Sequence, residues 1–410
     1  MRSQNRSGSV MRADRLAALV EAAVPDPDGP GVVVGLVDAD GSLETAARGM
    51  AVLEHEVPIS DRTVFHLASV SKQFTAEAVR SLVGADEQIG DYLPWVPFPH
   101  LTIEQLVQHR SGLRDQWQLV EAAGWRMEDV ITTADLVELI RRQTTLQSIP
   151  GTTYEYSNTN YTLLGLLVET VAGESLDSYC RKQLFEPLGM ADTAFVASHR
   201  AVVRRRASSY ARTATGYERI ALSYATVGAT SLHSTVTDLA RWAASVSSRE
   251  SWRGTTYTGS DSYGWGVHIG EHAGELKLWH AGADAGFRTH LAMVPGVGSA
   301  VVLGNFAELD PDALASQVLD LLESPSSDGR FVGTYYSDEL MATVRVVPDE
   351  QGLAFERPRY GRRRMTPVGE RAFTVPGDEA EVTLRFDQTG AELGYSTPEA
   401  RDLVFRRSDG

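Results

Sequence analysis

The stretch Phe65-His-Leu-Ala-Ser-Val-Ser-Lys-Gln-Phe-Thr-Ala76 decides the reading of this chain. It passes from a strand-like or loop segment into a helical pattern running to about Val83, with Phe74, Ala78, Val79 and Leu82 on one face. Ser69 stands three residues before Lys72. Residues three apart share a helix face, so the lysine amine can approach the serine hydroxyl. Burial lowers a lysine pKa and lets the amine receive the serine proton. A serine at a helix N-terminus also lies beside free backbone N–H groups and the positive end of the helix dipole. Ser71 is the rival nucleophile, but it adjoins Lys72 and faces elsewhere. Taken alone, the same spacing also describes a capping serine and a solvated lysine. Composition adds weight, because the chain holds 35 arginines and only three lysines, Lys72, Lys182 and Lys277. Arginine stays protonated, so a chain that prefers it keeps lysine where a proton must be lost. Lys182 and Lys277 lack such a context and are expected to be solvated.

Two further patterns lie downstream. Tyr156-Ser-Asn158 precedes a helix expected from about Asn160. A tyrosine there can shuttle a proton between nucleophile and leaving group, and Asn158 can donate to a substrate carbonyl and hold Lys72. On its own the segment equally reads as a polar capping loop. His280-Ala-Gly282 ends a strand and runs into the small-residue stretch Ala283-Asp-Ala-Gly286, which lets a ligand approach the backbone. Backbone N–H groups of Ser69 and Ala283 can form an oxyanion hole. Considered singly, His280 reads as a half-buried strand histidine.

Together, Ser69-Val-Ser-Lys72, Tyr156-Ser-Asn158 and His280-Ala-Gly282 resemble, in order, the Ser-x-x-Lys, Tyr-x-Asn and Lys/His-x-Gly signatures of the serine β-lactamase and penicillin-binding protein superfamily. The class C branch, with its DD-peptidases, D-aminopeptidases, esterases and acyltransferases, is the nearest likeness. Leu106-Val-Gln-His-Arg-Ser-Gly-Leu113, Glu186-Pro-Leu-Gly-Met190, Asp238-Leu-Ala-Arg-Trp242 and Tyr263-Gly-Trp-Gly266 also look like the family, and the likeness spans about residues 14–322. The resemblance implies a mixed α/β (α+β) fold of the β-lactamase/transpeptidase type, an antiparallel sheet flanked by helices. It further implies that Ser69 forms an acyl-enzyme, that Lys72 and Tyr156 share general acid and base duty, and that Asn158, His280 and Gly282 serve substrate binding and the proton network. The chain departs from the pattern in having His280 for lysine and Ala281 for the usual hydroxyl residue, which weakens binding of a substrate carboxylate and speaks against efficient β-lactamase action. The segment Leu82–Asp91 is also shorter than is usual in the family.

Coarser features agree with an enzyme. The 410 residues are 42% hydrophobic and 22% charged, ordinary for a globular chain with a real core. A net charge of −16 argues against binding nucleic acid or an anionic membrane. The single Cys180 can form neither an internal disulfide nor a thiolate cage. No apolar run approaches the ~20 residues needed to span a bilayer. Residues 1–10 carry basic side chains with no apolar run after them, so the reading is cytoplasmic, with Met11 as a candidate start.

Strands are expected over 31–38 and 44–52, helices over 102–108, 133–142, 160–171, 176–185 and 238–246, and then strands over 263–269, 275–280, 288–294 and 298–305 before a helix over 311–322. Ser234 or Thr237 is the expected cap of the helix over 238–246. This order predicts a disordered extension over 1–13, a hydrolase domain over 14–323, a linker over 324–330 and a small all-β barrel over 331–410. Phe331-Val-Gly-Thr-Tyr-Tyr336 resembles the opening strand of lipocalin-like accessory domains. Arg357, Arg359, Arg362, Arg363 and Arg364 read as a solvated hairpin before an anion site.

His268-Ile-Gly-Glu-His272 matches a zinc pattern, but that pattern needs a helix and this segment is glycine-flanked and strand-like. No metal and no cofactor are therefore expected. The leading expectation is a serine hydrolase acting on an ester, amide or D-amino-acid peptide. The alternatives are a transacylase or a stand-alone thioesterase or peptide cyclase fed by a carrier-protein-bound thioester, and, behind these, a binding protein with a relic site.

Overall fold

The computed structural model describes residues 2–126, 128–221, 223, 226–247, 263–322, 331–349, 352–359, 361–369, 371–376, 382–387, 389–398, 400 and 403–408, with backbone only for 2–10, 247, 349, 352 and 367–369. The expected linker over 324–330 lies outside the described residues. The chain divides into two compact units, residues 1–270 with 277–321, and residues 271–276 with 322–410. No helix among the described residues is long and apolar enough to cross a membrane.

The first unit is built on a sheet drawn from both ends of its sequence. β1 (Val32–Asp38) and β2 (Leu43–Arg48) come first, and β3 (His268–His272), β4 (Glu275–Asp284), β5 (Phe287–Val294) and β6 (Gly298–Gly304) follow some 220 residues later, in the spatial order β3-β4-β5-β6-β1-β2. β1 runs antiparallel to both β2 and β6, with Val32 opposite Arg48 and Gly304. β5 runs antiparallel to β4 and β6. Val32 to Val37 are all buried, as expected of a strand covered on both faces. The cover comes from helices α1 (Arg2–Ala23), α4 (Val236–Ser247) and α5 (Pro311–Leu319). Helix α2 (Ser71–Arg80) packs on α3 (Asn158–Ala172), and Phe74 stacks on Trp242 of α4 at 4.2 Å. Eight of the ten α2 residues are buried, including Lys72, which places the decisive lysine in the interior.

Several expected elements take a different form. Residues 11–13 belong to α1 rather than to a disordered extension, because Arg12 is tied to Asp38 of β1 at 2.6 Å and to Glu44 of β2. The strand expected over 44–52 breaks at Gly49 (φ 90°), where a Cβ would lie 2.6 Å from the Gly31 Cα. No strand covers 263–267; Tyr263 only bridges to His268, and Gly266 (φ 76°) runs so close to α2 that a Cβ would meet the Lys72 carbonyl at 2.7 Å. The helix over 176–185 is α-helical only for Leu176–Cys180 and widens to a π turn over Arg181–Phe185. Thr235 caps α4, through Asp238 N–H at 3.2 Å, while the Ser234 hydroxyl pairs with Thr193 at 2.7 Å. A helix over Gln116–Ala122, absent from the sequence reading, is capped by Asp115.

The second unit is a meander of β7 (Gly333–Ser337), β8 (Ala342–Asp349), β9 (Gly352–Arg357), β10 (Gly361–Arg364), β11 (Thr366–Gly369), β12 (Ala372–Val375), β13 (Val382–Phe386), β14 (Glu392–Ser396) and β15 (Leu403–Arg407). Its order is β10-β9-β8-β7-β15-β14-β13-β12-β11. Only Met365 separates β10 from β11, and its N–H bonds the Leu353 carbonyl at 2.9 Å. The two segments act as one strand pairing with β9 over its first half and β12 over its second, so the unit is in effect a nearly closed barrel of eight strands. Alternating residues, among them Tyr335, Phe355, Phe373, Phe386 and Phe405, fill its interior.

Candidate active site

Ser69 sits in a 3-10 turn, Ala68–Val70, that leads into α2. Ala68 is held in the left-handed region (φ 50°), and its N–H donates to Nδ1 of buried His66 at 3.1 Å. The Leu67 carbonyl accepts the Thr289 hydroxyl of β5 at 2.8 Å. These two bonds hang the turn between a short strand and the main sheet, leaving the Ser69 side chain half-buried at a cavity of about 600 Å³. Ser71 is turned inward, donating to the Ala68 carbonyl at 2.6 Å and accepting Leu232 N–H at 3.1 Å.

Lys72 Nζ donates to Ser69 Oγ at 3.0 Å, to Asn158 Oδ1 at 2.8 Å and to the Ala229 carbonyl at 2.8 Å. Burial pushes its pKa down to about 7, and the carboxylates of Asp284 and Asp115 oppose that fall. An amine that loses its proton near neutrality, in contact with a hydroxyl, is able to take the hydroxyl proton. The other two lysines lie elsewhere: Lys182 pairs with Glu174 at 2.6 Å, and Lys277 lies over the Trp279 ring at 5.5 Å.

Tyr156 lines the cavity beside Ser69, and its ring lies 4.9 Å from Lys72 Nζ. Burial drives its pKa well above the usual tyrosine range, so the phenol keeps its proton. His109 (φ 55°) organises this segment from beneath. Its Nδ1 accepts Ser157 N–H and the Asn160 side-chain amide, both at 3.1 Å, and its ring lies 4.3 Å from that of Tyr156. Asn158 is oriented by Asp115, whose Oδ2 accepts its backbone N–H at 2.6 Å and its side-chain Nδ2 at 2.8 Å. Only Oδ1 is then left to face Lys72.

The third motif forms the end of β4. Gly282 passes so close to the nucleophile turn that a Cβ would lie 2.3 Å from the Leu67 carbonyl and 2.4 Å from Thr289 Oγ1. Ala281, Gly282 and Ala283 line the cavity together with Ser69, Tyr156, Asn158 and His280. His280 is buried, with Nδ1 2.6 Å from the Ala281 carbonyl and Nε2 3.0 Å from the Tyr263 hydroxyl. Thus six predicted residues share one cavity wall and Lys72 stands behind them. The sequence reading missed the support of this set: His109 and Tyr263 were legible only as parts of family-like phrases, and Asp115 and the Ala229 carbonyl carried no signal.

His268 and His272 lie on β3, not on a helix; residues four apart on a strand are ~13 Å apart along it. Among the described residues no group of three His, Cys, Asp or Glu is arranged to hold a metal.

The chain is similar to known proteins both in sequence and in fold. The model of the family described as Beta-lactamase matches residues 16–316. A D-aminopeptidase of Cereibacter sphaeroides is 26% identical over 362 residues, covering 83% of this chain and 70% of the relative. A D-aminopeptidase of Gluconobacter oxydans is 26% identical over 96% of this chain and 79% of its own length. Among solved structures, an octameric penicillin-binding protein homologue from Pyrococcus abyssi superimposes with TM-score 0.67 at 19% identity, covering 96% of this chain and 99% of its own. A D-amino acid amidase from Ochrobactrum anthropi SV3 gives TM-score 0.64 at 22% identity over 76% of this chain and 98% of its own. A buried lysine on the serine, the tyrosine and asparagine beside it and the matched family model lead to one assignment: the chain belongs to the beta-lactamase family and is a serine hydrolase of that family.

Proposed function

We propose that the chain hydrolyses amides of D-amino acids, or short peptides that begin with one, through an acyl-enzyme on Ser69. The observation that carries this reading is the buried Lys72 amine, 3.0 Å from Ser69 Oγ and neutral above about pH 7. The names of the D-aminopeptidase relatives supply the substrate class. In the proposed cycle Ser69 Oγ attacks the amide carbon while Lys72 takes the hydroxyl proton. The N–H groups of Ser69 and Ala283 receive the negative charge on the carbonyl oxygen, an effect typically worth about 2.7–4 kcal/mol per donor. Tyr156, kept protonated by burial, passes a proton to the departing nitrogen as the C–N bond breaks and regains one from Lys72. Water then attacks the ester, and the same groups act in reverse to release the acid and restore the Ser69 hydroxyl.

Intact-mass measurement of the full chain, quenched during turnover of D-alanine and L-alanine p-nitrophenyl esters, tests the reading. The expected result is an adduct of one aminoacyl group with the D ester, absent in Ser69→Ala. An adduct that persists in Ser69→Ala, or a preference for the L ester, would refute it.

A further inference from the structure

The wall beside the third motif carries a charge of unexpected sign. Ala281, which stands where the superfamily commonly has a hydroxyl residue, pairs in register with His290 of β5. His290 is buried and its Nδ1 lies 2.5 Å from Asp312 Oδ1. A carboxylate only accepts, so this nitrogen carries the proton and the ring fixes one oxygen of Asp312. The ring is itself held flat against Trp279, at 5.3 Å and 7°, and Trp279 stacks on His268 at 4.3 Å. Asp312 is 58% exposed and lines the same cavity as Ser69.

Lys277, whose Nζ lies over the Trp279 ring at 5.5 Å, and His268 both act on Asp312 as positive groups; of the two only His268 lines the cavity. Asp310, also on the cavity, uses Oδ1 to accept the N–H groups of Asp312 and Ala313 at the start of α5. Arg288 also lines the cavity, but its Nη1 donates to the carbonyls of Ala285 and Phe287, at 3.1 and 2.9 Å, and it lies in the fields of Asp284 and Glu308.

We infer that Asp312, positioned by His290, is a specificity determinant that favours substrates bearing an ammonium group over those bearing a carboxylate. One fixed carboxylate supplies both the attraction and the repulsion, and the net charge of −16 acts in the same direction. The inference rests on the amidohydrolase reading above, since the free amine of a D-aminoacyl amide is the group Asp312 would meet. It also gives the loss of lysine and hydroxyl from the third motif a positive counterpart: the site not only lacks groups for a carboxylate but presents one against it.

The test uses three amides that differ only at the nitrogen of D-alanine: D-alaninamide (ammonium), N-acetyl-D-alaninamide (neutral) and N-succinyl-D-alaninamide (carboxylate). The full chain should prefer them in that order, with kcat/KM for the first exceeding that for the third by about 100-fold. Asp312→Asn should shrink this ratio by about tenfold or more, whereas Asp312→Glu, which keeps the charge, should retain most of it. An unchanged ratio in Asp312→Asn overturns the inference. So does a preference for the succinyl amide that disappears in Arg288→Gln. Acylation of wild-type Ser69 by the D-alanine ester, read by mass, separates the two levels. If the adduct forms and the charge series is flat, this inference alone fails; if no adduct forms, the amidohydrolase reading fails with it.

Discussion

Nε2 of His280 lies 3.0 Å from the hydroxyl of Tyr263, while Nδ1 of the same ring lies 2.6 Å from the Ala281 carbonyl. A carbonyl only accepts, so Nδ1 bears the hydrogen and Nε2 receives that of Tyr263. Burial holds the ring neutral, its pKa well below the usual histidine range. His280 is thus a link between the third motif and Tyr263. Tyr263→Phe leaves a buried nitrogen without its donor, at an expected cost of about 1–3 kcal/mol, visible in thermal unfolding. Acylation of Ser69 should slow by about tenfold in stopped-flow measurements. Unaltered acylation would show that this link does not serve the chemistry.

Lys72 makes a pH prediction with a definite sign. Its pKa is lowered to about 7, so the neutral amine gains population as pH rises through that value. The acylation rate should climb with unit slope below about pH 7 and level off above it. Because the folded-state pKa lies below the unfolded one, this group's contribution to stability falls as pH drops from about 10 to 7, and changes little below that. Lys72→Arg keeps the cation but cannot lose a proton, and should lower acylation at least about 100-fold. Near-normal turnover in that variant would remove Lys72 as the base.

Asn158 offers a way to move that profile. Asn158→Asp sets a carboxylate against Lys72 Nζ, where the amide oxygen now accepts at 2.8 Å. An adjacent negative charge favours the ammonium form, so the rising limb should shift to higher pH by about one unit or more. The new carboxylate also faces Asp115, and stability should fall through like-charge contact. A limb that stays in place would show that Asn158 does not tune the amine.

Gly282 is fixed by space. A methyl group there would press on the Leu67 carbonyl and Thr289 Oγ1, both under 2.5 Å from the Cβ position. Gly282→Ala should displace the turn that carries Ser69, lowering acylation about 100-fold and stability by about 2 kcal/mol. Wild-type kinetics in a folded Gly282→Ala protein would contradict the close approach of β4 to that turn.

What the sequence disclosed follows from how local each feature is. The contact of Ser69 with Lys72 is encoded by a three-residue spacing, from the 3-10 turn into the first turn of α2, and the scarcity of lysine marked it twice. Strands β5 and β6 and helix α5 showed through their hydrophobic period. The partners of the motifs did not, because they are distant in the chain. Asp115 reaches Asn158 across 43 residues and His290 reaches Asp312 across 22. Neither pairing is visible without knowing which strand lies opposite which. The break at Gly49 and the loop through Gly266 escaped for another reason. Each glycine answers to a backbone passing against it, a constraint that no periodicity records.

The shared strand of the C-terminal unit bears on how this protein behaves in crowded solution. Since residues 361–364 and 366–369 engage β9 and β12 in turn, each side of that ribbon exposes only about half its length of free peptide groups. Among the described residues of this unit a second chain has no long ladder to join, so edge-to-edge pairing through the barrel is suppressed by topology, and a slip in the pairing of that ribbon would open a template for it.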